Sequence, residues 1–449
     1  MKNILVIAYY YPPKGGIGVL RNAKLAKYLN KLGYNVHVLS VKEEQCGATI
    51  DHSLDNDIRP GITVHRTSIS EGRLIEKLIS RVSRNNSTAH SNNLNIGTKK
   101  SNPVKAFIRQ TGKNIFLNIY SLLHIPDAQK GWIKFSLEAG RKIIEENNID
   151  VIYTTSSPYT SHLIGYKLAK EFSVKWIADF RDPWVSNSFV DYNYIVKRTN
   201  IFLERKVIKR ADIVTSVSQP IIDDFLKRYP DQKKDKFIVI TNGYDEEDYK
   251  NLDLHMSDSN QKFTILYSGT LYGKESPDNL FIAVENLIIK NRIDRNSIKV
   301  RFVGDMGSKQ KEVFDNFKYK YPEIYERKEF VSHSESLEEL CKANSLLLII
   351  DDAKGNERIY TGKIFEYIRT GKPVIGIVPD GVARDLIIDT RSGYIAYPTK
   401  FEEIEEVVYA AYIDYLNTND DFSPDWEKIK EYSRERLAQK LDKIITSIT

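Results

Sequence analysis

The sequence predicts an α/β protein made of two parallel-sheet halves, and three observations carry that prediction. Short runs rich in β-branched residues recur along the chain, each followed by a helical pattern, as in sheets covered by helices on both faces. Nearly every run ends in small or polar residues. Between Asp245 and Lys262 lies "DEEDYKNLDLHMSDSNQK", acidic and without period, which reads as a linker joining the halves.

In order, the first half offers "NILVIAYY", "NVHVLSV", "DVIYTTS", "VKWIADF", "DIVTSVS" and "FIVITNG". The second offers "FTILYSG", "IKVRFVG", "KEFVSH", "LLLII" and "KPVIGIV". A chain of 449 residues, 41% of them hydrophobic, is long enough for two full cores. After Pro424, "WEKIKEYSRERLAQKLDKIITSI" has the spacing of one amphipathic helix. The expected divisions are 1–247, 262–424 and a terminal helix over 425–449.

Composition limits the partners. No apolar run approaches the ~20 residues that cross a bilayer, and "MKNILVIAYYYPP" reads as a first strand rather than a leader because it lacks a small-residue cleavage site. Two distant cysteines, Cys46 and Cys341, suit a reducing cytoplasm and no disulfide framework. The net charge of +6 is uneven: residues 70–141 hold twelve Lys/Arg against four acids. With "RLIEKLISRV" and "AFIRQTGKNIFLNIYSLL" inside it, that stretch suits an anionic membrane or a polyanionic substrate, or else a solvated helical hairpin on its own domain. It has no nucleic-acid-binding motif.

Ligands of open parallel sheets sit outside the carboxyl ends of the strands, so two such edges face to face make a polar cleft between the domains. On the first edge, "PPKGGIG" offers Gly15 and Gly16 before a helix N-terminus, and "SSPY" and "RDPW" offer Ser157, Arg181, Asp182 and Trp184. Arg181 beside Asp182 also reads as a plain ion pair, and Trp184 as a plain core residue. The second edge has "GTLYGK", with Gly269 and Lys274, and Val331 in "KEFVSH".

The most informative stretch is "GNERIYTGKIFEYIRTGKPVIG", Gly355 to Gly376. On a helix, Ile364, Phe365 and Ile368 share one side, and Glu366 points roughly 155° away from it. A capping box with Thr361 needs its acid at 364, which is Ile. With a different N-cap Glu366 serves the helix dipole; the alternative is that it accepts hydrogen bonds from a vicinal diol, as a carboxylate does for ribose, with Thr361, Gly362 and Lys363 forming a phosphate-binding turn beside it. That pairing describes a nucleoside diphosphate.

Taken together, "YYPPKGGIGVLRNAKLAKYLNKLGYNVHVLS", "LERKVIKRADIVTSVSQP", "ITNGYD" and "KIFEYIRTGKPVIG" resemble, in order and spacing, the retaining glycosyltransferases of family 4, which have the GT-B fold. "ADFRDPW" is similar to the bacterial members that build surface glycans. The resemblance implies an N-terminal acceptor domain, a C-terminal nucleotide-sugar domain, a last helix crossing back to the first, no metal, and a UDP-sugar in preference to a GDP-sugar as donor. Cofactors are expected to be none, and the partners a nucleotide-sugar, a glycan or lipid-linked acceptor, and an anionic membrane met through 70–141.

Two departures from the family stand out. Its first glutamate falls at Arg358, with Glu357 beside it, and the arginine of its Gly-Arg-Leu loop is Thr270. Arg358 supplying the lost charge and Glu357 standing in for the glutamate remain open alternatives. Lys274, Arg181, Arg358 and Glu357 are the expected catalytic group. An epimerase of the same fold and a non-catalytic nucleotide-sugar binder are the other functional readings.

Overall fold

The structure, a computed structural model, describes residues 2–46, 50–58, 60–70, 121–187, 190, 192–254, 262–271, 273–417 and 422–449. Among them, the first half forms a seven-stranded parallel sheet: β1 (Asn3–Ile7), β2 (Asn35–Val41), β3 (Ile62–Thr67), β4 (Val151–Ser156), β5 (Lys175–Phe180), β6 (Ile213–Ser216) and β7 (Phe237–Val239). Helices α1 (Ile17–Lys31), α2 (Ile133–Asn147), α3 (Thr160–Phe172), α4 (Tyr194–Arg210) and α5 (Gln219–Arg228) cover it. Its central strands read as unbroken apolar runs because both faces are covered; every residue of β4 is buried.

The second sheet has six parallel strands: β8 (Phe263–Ser268), β9 (Ile298–Val303), β10 (Tyr325–Lys328), β11 (Ser345–Ile349), β12 (Val374–Ile377) and β13 (Gly393–Ala396). Its helices are α6 (Asp278–Ile289), α7 (Ser308–Lys320), α8 (His333–Lys342), α9 (Lys363–Thr370), α10 (Val382–Asp389) and α11 (Phe401–Leu416). The strand orders are β3-β2-β1-β4-β5-β6-β7 and β10-β9-β8-β11-β12-β13. Each order reverses once, between β1 and β4 and between β8 and β11. At such a switch point the flanking connections leave in opposite directions and open a crevice above the strand ends.

The structure revises four expectations. β3 and β13, absent from the list of runs, are edge strands with half-exposed faces, so neither shows a continuous apolar run. The edge strand placed at "KEFVSH" is instead "YERK", Tyr325–Lys328, with only Tyr325 buried. The terminal amphipathic segment is two helices, α12 (Trp426–Lys430) and α13 (Arg434–Ile448), because Ser433 caps the second with its side chain and Tyr244 pairs with the break through the Tyr432 carbonyl and the Arg434 N–H. The acidic linker is anchored in its first part: Asp245, Glu247 and Asp248 meet Lys24, Lys27 and Lys31 along α1. The basic helical patterns of 71–120 lie outside the described residues.

From α13, Leu437, Ala438, Leu441, Ile444 and Ile445 enter the core formed by β1, β2 and α1, although the chain reaches them only after crossing the second domain. No described helix is long and apolar enough to cross a membrane.

Candidate functional site

Both switch points carry the residues singled out from the sequence. After β1, Gly16 caps α1 at φ 108°, a conformation that favours glycine, and a Cβ there would meet nothing within 4 Å. The turn is open to an approaching ligand. Gly18 has a different reason: a Cβ would lie 1.8 Å from a terminal nitrogen of Arg181, whose guanidinium rests on the glycine. Arg181 also donates to the Asp182 carboxylate at 3.3 Å, and Ser157 donates to the same oxygen at 3.2 Å. Arg181, Asp182 and Ser157, from the ends of β4 and β5, thus form one cluster against the start of α1. Trp184 is not part of an acceptor surface: it is fully buried and stacked on Tyr159 with centroids 4.8 Å apart.

On the second edge, Gly269 follows β8 at φ 127°, and a Cβ would lie 2.5 Å from Cε of Lys363. Lys363 opens α9 and lies with Nζ 4.0 Å from the centre of the Tyr267 ring, hydrogen-bonded to its hydroxyl. Burial lowers the Lys363 pKa to about 8, against the pull of Glu275. Burial likewise pushes Glu275 up to about 7; Lys363 opposes the rise and Asp351 adds to it. Lys274 stands exposed in the loop after Gly269. Gly362 precedes the first turn of α9, and the neighbouring Thr361 hydroxyl is buried without a hydrogen-bond partner among the described residues. Val331 packs at the rim of the second core.

Glu357 and Arg358 are hydrogen-bonded to each other but have different further partners. The Glu357 carboxylate turns back to accept from the Gly355 N–H at 2.6 Å and from Arg358 at 3.1 Å. Arg358 crosses to the first domain, where Ser218 donates to its carbonyl at 2.7 Å and Asp224 lies 3.8 Å from its guanidinium.

Glu366 points away from the apolar side of α9 and accepts from Nε2 of His333 at 2.9 Å. Burial opposes protonation of His333, but the charge and hydrogen bond of Glu366, with Asp248 adding to them, outweigh it and hold its pKa above the ordinary histidine value. The His333 backbone N–H donates to Asp51 of the first domain at 3.2 Å. Around the pair, a cavity between the domains is lined by Lys24, Asp245, Asp248, Tyr249 and Arg434. Burial depresses the Arg434 pKa to about 10.

The sequence has one Asp-x-Asp triplet, Asp55-Asn56-Asp57, of the kind that holds divalent ions. Its two acids diverge: Asp55 is exposed and pairs with His52. Asp57 joins Asp245 and Asp248 in an acidic cluster with ligand spacing, but Lys24 and Lys27 insert their ammonium groups at 2.5–3.2 Å and neutralise it. Lysine, not a cation site, explains that cluster.

His333, Glu275 and Arg434 escaped the sequence reading. For His333 a signal existed: "SHSE" is a capping box, with Ser332 and Glu335 in reciprocal hydrogen bonds, which fixes His333 as the first residue of α8. Glu275 and Arg434 depend on contacts across more than 80 residues of sequence and left no local mark.

Comparison with known proteins agrees with this architecture. The Glycosyltransferase Family 4 profile matches residues 102–248. Among solved structures, HepE of Anabaena in complex with UDP and glucose is similar over 100% of both chains, with a TM-score of 0.62 at 13% identity. A glycosyltransferase from Rickettsia africae covers 100% of this chain and 98% of its own, with a TM-score of 0.62 at 16% identity. Sucrose-phosphate synthase from Thermosynechococcus elongatus covers 100% and 99%, with a TM-score of 0.63 at 13% identity. At these identities the likeness is one of fold. No curated protein matches the sequence.

Proposed function

We propose that this chain, which matches the Glycosyltransferase Family 4 profile over residues 102–248 and shares its two-sheet fold with the solved structures above, is a retaining, metal-independent glycosyltransferase. It moves a sugar from a nucleotide-diphosphate sugar, a UDP-sugar in preference to a GDP-sugar, to a lipid-linked or growing glycan acceptor. The observation that carries this reading is the convergence, at the β8–β11 switch point, of the α9 N-terminus, the unpartnered Thr361 hydroxyl and the half-buried Lys363.

The chemistry follows from those groups. As the bond from sugar to diphosphate breaks, negative charge grows on the leaving oxygen, and oriented N–H donors with a nearby ammonium stabilise it most where water is excluded. Lys363 takes the role left vacant by Thr270, with Lys274 at the outer end of the same loop. Glu366 accepts from the donor ribose, while Gly15 and Gly16 let the first domain approach the diphosphate from the other side. Arg181, Asp182 and Ser157 meet the sugar and acceptor. That HepE was solved with UDP supports the choice of base. A cytoplasmic enzyme held at the inner membrane face through 70–141 completes the reading.

Glu366→Ala lowers UDP affinity at least tenfold in titration calorimetry, and an unchanged affinity removes the ribose assignment. Release of a sugar from donor with its anomeric configuration kept, measured by NMR with acceptor present, tests the retaining step; inversion overturns it.

A further inference from the structure

The outward face of α4 goes beyond that reading, which put membrane contact on 70–141. Large apolar side chains stand in water there: Tyr194 is 70% exposed, Ile195 60% and Phe202 57%. The side chain of Asn193, which caps α4, also bonds to Ser121, and the next two residues, Leu122 and Leu123, are exposed as well. Scattered exposed hydrophobics need no explanation; several gathered along one helix face do.

Charge says what covers them. Lys197, Arg198 and Lys206 are exposed on the same helix, with no carboxylate in ion-pair range among the described residues. Arg198 and Lys206 instead lie over the rings of Tyr194 and Phe202, at 5.5 and 4.3 Å. One acid near this face, Asp231, is shared by Arg205 and Lys209. The helix's own acid, Glu204, is fully buried and accepts from Val185, Arg228 and Tyr229, so it takes no charge to the surface. Val196, Val207 and Ile208 are buried on the opposite side and fix which face looks out.

We propose that the outward face of α4, with Leu122 and Leu123, is a docking surface for an anionic lipid bilayer. Aromatic and aliphatic side chains enter the headgroup boundary, and the flanking cations meet lipid phosphate. A face whose unpaired charges are all positive, set around aromatic rings, matches an anionic lipid sheet. Because α4 follows β5, its Tyr194 end lies at the strand edge that carries Arg181 and Asp182.

Cosedimentation of the full chain with vesicles tests this without reference to nucleotide or catalysis. The wild type binds vesicles of phosphatidylcholine with 30% phosphatidylglycerol, stays free with pure phosphatidylcholine, and is released in high salt. Each basic residue at such a surface is worth about fivefold in partitioning, so Arg198→Glu with Lys206→Glu lowers binding at least tenfold. Tyr194→Ser, Ile195→Ser and Phe202→Ser together do the same while leaving the thermal unfolding midpoint and UDP affinity unchanged. Wild-type binding to neither vesicle, or equal binding by the triple variant, overturns the proposal. So does light scattering that finds a dimer in the wild type and a monomer in the triple variant, since a second copy then covers the face.

Discussion

Glu366 shows how one residue changes meaning between sequence and structure. Periodicity places it off the apolar side of its helix, and the structure adds the group it meets, His333 at 2.9 Å. The pair has a definite pH signature. The folded-state pKa of His333 lies above its unfolded value, so its stabilisation is complete below about pH 6.5 and is lost as pH rises through the raised value. A hydrogen bond to a charged partner is worth roughly 1.5–3 kcal/mol when fully buried, and partial exposure of both side chains reduces it to about 1 kcal/mol. His333→Ala should therefore lower the urea midpoint more at pH 6 than at pH 9. The packing loss is the same at both values, so only their difference reports the pair, and an equal loss rules it out. Lys363 and Gly269 are coupled in the same way: Gly269→Ala drives a methyl into the lysine stem 2.5 Å away and forces an unfavourable φ. UDP affinity should fall severalfold in calorimetry, whereas a surface glycine would tolerate the change.

At the scale of elements, legibility followed burial. Central strands, buried on both faces, announced themselves as apolar runs, whereas three of the four edge strands, β3, β10 and β13, did not, since a half-exposed strand need not be apolar; the fourth, β7, is apolar throughout. The turns at Gly16, Gly269 and Gly362 were readable because glycine and helix starts have local signatures. The partners of those turns were not: Lys363 beneath Gly269 and Arg181 against Gly18 join residues separated by 94 and 163 positions. α13 was recognised by its period, but its separation from α12 hung on the cap at Ser433 and the bridge to Tyr244. Its role is nevertheless testable. Leu441 is fully buried in the core of the first domain, so Leu441→Ala should cost about 2–4 kcal/mol in chemical unfolding. A cost below 1 kcal/mol would mean that α13 is not integral to that domain.

Across the whole molecule, two sheets with one switch point each bring their strand ends to a shared cleft, and few contacts span it. The Tyr244 connection, bridged to Ser433, and α13 join the domains, as do Arg358 with Ser218 and the His333 N–H on Asp51. Arg358, aligned by resemblance with a family 4 carboxylate, reaches across to Asp224, which also holds Ser186 and Arg228. A partly exposed ion pair as long as 3.8 Å adds little by attraction. Reversing its sign is a stronger perturbation, because Arg358→Glu puts two carboxylates within a few ångströms in a partly shielded gap. The variant should open the cleft, seen as a larger radius of gyration in small-angle scattering, and Asp224→Asn added to it should bring the radius back toward the wild type. A radius unchanged by Arg358→Glu would show that the remaining contacts, Ser218, the Tyr244 connection and His333 on Asp51, set the domain spacing, and that Arg358 is available to the bound diphosphate instead.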